Sequence, residues 1–143
     1  MNKPAGIDLV ERARALAPLI AREADEIERT RRLTPAVTQA LIENGLYRAL
    51  LPQSLGGAEA PLETFMQMQE EIAKADASTA WCLGQCGVCA MISAYLDPEP
   101  ASEIFNVAPG ILAWGAINHQ VQAVPGGYKA SARWDFASGS RQA

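Results

Sequence analysis

Gly126-Gly127-Tyr128-Lys129-Ala130-Ser131-Ala132-Arg133-Trp134-Asp135-Phe136-Ala137-Ser138-Gly139-Ser140-Arg141 decides how the rest of the chain is read. The glycine pair marks a turn, and Tyr128 to Ala137 reads as a strand. With a period of two, Trp134, Phe136 and Ser138 share one face. A lone strand cannot satisfy its own backbone donors and acceptors, and little sequence remains to supply partners. The expectation is an unfinished β layer, the front of something longer.

Working back from this stretch, Pro125-Gly126-Gly127 closes a turn after a short strand at Val121 to Val124, and Ile111 to Ile117 reads as a buried strand. Upstream of Pro109-Gly110 the pattern is helical. From Ile7 to Arg29, Leu9, Val10, Ala13, Leu16, Ala17, Ile20, Ala24 and Ile27 recur at helical spacing, with Pro18 as a defect that kinks or splits the helix. Thr34 caps a second helix with Pro35 at its first position, and Asn44-Gly45 ends it. A third begins near Pro61, with Leu62, Phe65, Met66, Ile72 and Ala73 on one side. A fourth, capped by Asp76 or Ser78, is the uncharged segment from Ala77 to Leu96. It stops before Asp97-Pro98-Glu99-Pro100 and is followed by a short helix at Ala101 to Phe105. Helices first and strands second predict a mainly α chain. Residues 1–108 form a helical bundle domain, and 109–143 hold the first strands of a β-barrel domain.

Hydrophobic residues make up 49% of the chain and charged ones 20%, the balance of a globular protein. A net charge of −4 argues against nucleic acid or an anionic membrane as partner. The short run Arg29, Arg31, Arg32 suits a solvated helix end. The uncharged segment has bilayer length, but its serines, glycines, Thr79 and Gln85 favour a buried central helix over a membrane span. No secretory signal is visible, and three closely spaced cysteines do not make a disulfide framework, so a reducing cytoplasm fits.

Cys82-x-x-x-Cys86-x-x-Cys89 has the spacing of the radical SAM cluster motif. On a helix the same residues form one buried stripe of small apolar side chains, and that reading is preferred. His119, the only histidine, has no partner at metal-ligand spacing and reads as a solvent-facing loop residue. The adjacent pair Glu70-Glu71 reads as a solvated edge. No metal site is expected. Trp134 and Phe136 offer flat faces, and Ser138 a hydroxyl, to a planar ring ligand; periodicity alone favours the simpler reading, in which the aromatics are core residues of a barrel or sandwich.

Three stretches in order resemble the acyl-CoA dehydrogenase superfamily of flavoproteins. They are Leu41-Ile42-Glu43-Asn44-Gly45-Leu46-Tyr47-Arg48 followed by Leu51-Pro52 and Leu55-Gly56-Gly57; Glu70 to Trp81; and the ending with Gly126-Gly127-Tyr128, Ser131, Arg133-Trp134 and Phe136-Ala137-Ser138-Gly139. The ending is most similar to the two-component monooxygenase branch, which hydroxylates aromatic or heteroaromatic compounds with reduced flavin and O2. The resemblance implies a helical domain, a central β-barrel and a C-terminal four-helix bundle that drives tetramer formation. It implies FAD or FMN as cofactor, a separate flavin reductase and a small-molecule substrate. Trp114, Ala116 and Asn118 would lie against the flavin. Trp134, Phe136 and Ser138 would form the neighbouring wall, with Ser138, the candidate catalytic group, near the reactive edge. Trp81 and Gln85 would face the substrate.

Two departures lower the odds of the alternative, acyl-CoA dehydrogenation. The Thr-Glu and Gly-Ser signature is missing near Trp114, and Trp134-Asp135-Phe136-Ala137-Ser138-Gly139 stands where dehydrogenases have Trp-Ile-Thr-Asn-Gly. A further alternative is a non-catalytic truncated helical fragment. The family's catalytic base lies in its C-terminal domain and has no counterpart here.

Overall fold

The computed structural model describes residues 5–107 and 109–143; the side chains of residues 5–8 and 116–118 lie outside the description. The order is α1 (Ala5–Thr30), α2 (Pro35–Glu43), two 3-10 turns (Leu46–Arg48 and Gln53–Leu55), α3 (Leu62–Ala75), α4 (Ala77–Cys89), a 3-10 continuation (Ala90–Tyr95), α5 (Pro98–Phe105), β1 (Ala116–Val124) and β2 (Gly127–Trp134). The chain is mainly α, as its sequence predicts.

Leu9, Ala13, Ile20 and Ile27 make the buried stripe of α1, and α3 packs along it through Phe65, Met68 and Ile72. Arg14 reinforces the pair with two 3.2 Å hydrogen bonds to Glu71, which Lys74 also contacts at 3.0 Å. Glu71 is therefore an interhelical ion-pair partner rather than a solvated edge. Its pKa is lowered, first by the Arg14 hydrogen bond and then by that from Lys74. Pro18 neither splits α1 nor disturbs the core: it sits on the exposed face, where the missing backbone donor matters least.

Thr34 caps α2 by accepting from the Val37 N–H at 3.4 Å, and Gly45 follows the helix at φ 70°, the left-handed turn its lack of a Cβ permits. Arg48 then gathers what comes next. Its guanidinium donates to the carbonyls of Leu55, Gly56 (3.4 Å) and Phe105 (2.9 Å), joining the second 3-10 turn to the end of α5. There a smaller core forms from Leu51, Leu55, Ala90, Ala101 and Phe105.

Four further expectations are corrected. Met68, not Leu62 or Met66, fills the core face of α3; the latter two are 62% and 59% exposed. Pro98 does not merely stop a helix but opens α5, because a first-turn residue has no intrahelical use for its N–H. Residues 111–115 form no strand: Ile111 is buried against the helices, and regular pairing starts only at Ala116. Two strands thus stand where three were expected. They pair antiparallel from Val124↔Gly127 to Ala116↔Trp134, with an irregularity between Ile117 and Gln120. His119 lies within β1, not in a loop, and is exposed.

Candidate functional site

The site is organised by α4. Asp76 caps it, accepting from the Thr79 N–H at 2.7 Å and the Ser78 hydroxyl at 2.8 Å. Burial pushes the Asp76 carboxyl up, but these hydrogen bonds together outweigh it and leave the pKa below the ordinary value. Thr79, Leu83, Cys86 and Cys89 turn inward. Trp81 and Gln85, four residues apart, share an outer flank. Trp81 is 62% exposed, so this helix is buried on one side only. The run Ala77–Tyr95 is long and apolar enough to cross a membrane by length and composition, and 44% of its apolar window lies inside the fold.

Two indole hydrogen bonds join this flank to the chain beyond the helices. Trp81 Nε1 donates to Ser138 Oγ at 3.1 Å, and Trp114 Nε1 donates to Gln85 Oε1 at 3.0 Å. An indole N–H can only donate. The Ser138 oxygen therefore acts as acceptor, and its own proton stays available for another group.

Close backbone approach sets Ser138 in place. Gly139, buried at φ 84°, lies so near Cys86 that a Cβ there would collide with the thiol sulfur; the Cys82 carbonyl would be 3.3 Å away. On the other side, a Cβ on Gly115 (φ 124°) would stand 2.9 Å from the Asp135 carbonyl and 3.5 Å from Ala137. The Ser138 N–H donates to the Phe136 carbonyl at 2.9 Å, tightening the turn.

The cysteines behave as packing groups. Burial pushes the Cys86 thiol up to about 12 and also raises Cys82 and Cys89. All three are free, and no group able to hold a metal ion occurs among the described residues.

Of the residues singled out by sequence, the fold unites Trp81 with Ser138 and Gln85 with Trp114. It does not align Trp134, Phe136 and Ser138. β2 ends at Trp134, where Arg133 Nε donates to Asp135 at 2.9 Å, and Phe136 adopts φ 56° with 97% exposure. The period-two reading fails past Trp134 because the backbone has left the strand. Trp134 itself is 57% exposed and pairs in register with Ala116. The side chains of Ala116 and Asn118 lie outside the described residues. Sequence reasoning missed Gly115 and Gly139, whose importance comes from what passes within van der Waals distance. It also missed that Trp81 and Gln85 border an open apolar groove of about 440 Å³ between α3 and α4, lined in part by Phe65, Met66, Gly84 and Val88.

A planar ring ligand with hydrogen-bond acceptors fits these residues. Trp114 and Trp134 leave more than half of their area uncovered, and Ser138 retains a proton to give.

Known proteins resemble this chain in sequence and in fold. The chain is 34% identical over 117 residues to indole-3-acetate monooxygenase of Pseudomonas putida, covering 80% of this chain and 30% of that protein. It is 27% identical over 139 residues to the oxygenase component of the FADH2-dependent resorcinol hydroxylase of Rhizobium sp., covering 96% and 34%. Its fold superimposes on XiaF from Streptomyces sp., solved in complex with FADH2 and glycerol, with a TM-score of 0.86 at 27% identity over 92% of this chain and 34% of that one. The chain thus spans about a third of the length of the curated relatives it matches. Residues 8–104 match the family profile described as the acyl-CoA dehydrogenase N-terminal domain, and the chain belongs to that family.

Proposed function

We propose that this chain is part of the oxygenase component of a two-component flavin-dependent monooxygenase that hydroxylates a small aromatic or heteroaromatic substrate. The observation that carries the proposal is the Trp81–Ser138 hydrogen bond, in which the serine oxygen accepts and its own proton stays free to be given to another group. Its relatives, an indole-3-acetate monooxygenase and the oxygenase component of an FADH2-dependent hydroxylase, support it.

Reduced FAD or FMN, delivered by a separate reductase, supplies the electrons that activate O2. With flavin bound, Ser138 would be the residue to give a hydrogen bond near its reactive edge, while Trp81 occupies the serine oxygen as its donor. Trp114, Trp134 and Phe136 offer exposed ring faces, and cofactor-contact roles for Ala116 and Asn118 rest on the family resemblance alone. Gln85 anchors Trp114, and together with Trp81 it faces the substrate side. Residues 109–143 open the middle β-barrel domain, and 1–108 are the helical domain. The full-length protein is a cytoplasmic homotetramer.

The test uses a protein of the relatives' full length that carries this sequence, supplied with chemically reduced flavin, O2 and a phenolic or indolic substrate. Product formed per O2 consumed should fall in Ser138→Ala, with peroxide rising in step. Unchanged coupling would remove Ser138 from the reaction. Flavin reduction by an acyl-CoA would replace the whole reading with dehydrogenation.

A further inference from the structure

The arginine run that reads as a helix terminus in sequence has a more specific setting in three dimensions. Arg29 is spent on Glu26, at 2.6 Å. Arg14, Arg22 and Arg133 likewise have carboxylate partners, and Arg48 has its three carbonyls. The guanidinium groups of Arg31, Arg32 and Arg141 have no hydrogen bond or ion pair among the described residues, and all three line one cleft of about 350 Å³. This volume lies within the roughly 300–1,000 Å³ range of small-molecule sites.

The cleft has a built interior. Ile27 and Leu33, each 4% exposed, give it an apolar floor. The turn that carries Ser138, Gly139 and Ser140 forms the opposite wall and adds two hydroxyls. Glu28 is the single carboxylate on the lining, so three positive charges face one negative charge, on a chain whose net charge is −4.

The end of α1 accounts for cations near its own carbonyls. It does not account for Arg141, which arrives from the other end of the chain. Nor does it account for the backbone of Arg31, which sits at φ 51° just past the helix. Glycine is the usual residue in that left-handed position, and a side chain there costs about 1 kcal/mol. A guanidinium stands where glycine would be more stable.

We propose that this cleft binds the phosphate or pyrophosphate group of a small molecule. Three guanidinium groups provide planar pairs of donors suited to phosphate oxygens, and the Ser140 hydroxyl can complete the shell. The proposal stands apart from the flavin reading, since it concerns the face of the Ser138 turn that meets α1.

Inorganic pyrophosphate titrated into the full chain by calorimetry at low salt should saturate one site and weaken as salt is added. Arg31→Gly should reduce affinity about tenfold or more, the scale of one charged hydrogen bond, while the melting temperature stays equal or rises because the left-handed strain is relieved. Arg141→Gln should weaken binding similarly without touching that strain. FMN and riboflavin distinguish two sources of the same group. FMN binding that competes with pyrophosphate and falls in Arg31→Gly, with riboflavin unaffected, assigns a nucleotide's phosphate tail. Pyrophosphate binding with no competition from FMN assigns a phosphate-bearing ligand other than the flavin. No saturable pyrophosphate binding, or binding indifferent to both substitutions, overturns the proposal, whatever becomes of the hydroxylation assay.

Discussion

Trp81 Nε1 and Ser138 Oγ are 3.1 Å apart, joining residues 57 positions distant in sequence. Trp81→Phe keeps a ring but loses the donor, and Ser138→Ala loses the acceptor. In a double-mutant cycle followed by urea denaturation, the coupling should be about 0.5–1 kcal/mol, the lower part of the range for a neutral hydrogen bond because the site is open to water. Strict additivity would mean that the two groups do not interact in solution.

Arg48 holds three carbonyls with one planar fork, and the Phe105 carbonyl is one of the orphan acceptors at the end of α5. Arg48→Lys keeps the charge but cannot reproduce the fork. A loss of about 2 kcal/mol in unfolding free energy is expected. A lysine variant as stable as the parent would show that charge alone suffices.

Two glycines should respond differently to alanine. At Gly57 an added Cβ would collide with the Leu51 backbone, so Gly57→Ala should cost about 3 kcal/mol. Gly126 has nothing within 4 Å of its would-be Cβ, and only its φ of 84° resists substitution. Gly126→Ala should cost about 1 kcal/mol. Thermal melts of the pair read the contrast directly; equal losses would contradict it.

Alkaline pH should weaken the fold through Cys86. Its folded pKa is raised from 9.0 to about 12. Its contribution is therefore fully present below about pH 9 and is lost as pH rises toward 12, because the unfolded thiol ionises first. In that window each such group steepens the decline by about 1.4 kcal/mol per pH unit. Cys86→Ala should flatten the slope of unfolding free energy against pH between 9 and 11 by about one proton's worth. An unchanged slope would place the loss elsewhere, on Tyr47 for example, which burial also raises.

Acid should act through the cap of α4. With its pKa lowered, the Asp76 carboxylate stabilises at and above the ordinary carboxylate range, and that support disappears as pH falls through the depressed value. Asp76→Ala should cost about 1 kcal/mol at neutral pH and progressively less in acid. A pH-independent loss would point to packing rather than capping.

What could be read from the sequence was local. Thr34, Pro35 and Asn44-Gly45 carry the limits of α2 in their own backbone chemistry, and the stripe of α1 emerges from spacing alone. Pro18 misled because the choice between kink and continuation depended on which side of α1 met α3. Leu62 and Met66 were as apolar as Met68, and only the crossing of the helices selected Met68 for the core. The pairing of Trp81 with Ser138 was equally invisible: each residue could be singled out, but their contact depends on Gly115 and Gly139 letting two backbones approach. At Phe136 the alternating pattern continued after the strand had ended, since side-chain type does not record a left-handed backbone.

The β1–β2 hairpin has almost no buried surface: from His119 to Ser131 every residue is exposed. A two-stranded ribbon alone is marginal in water, so this one is held from its base, where Trp114 and Ser138 are tied to α4. Deuterium uptake should therefore grade along the ribbon, slowest beside Ala116 and Trp134 and fastest toward Gly126, so that the hairpin frays from its tip while its root opens only with the helices.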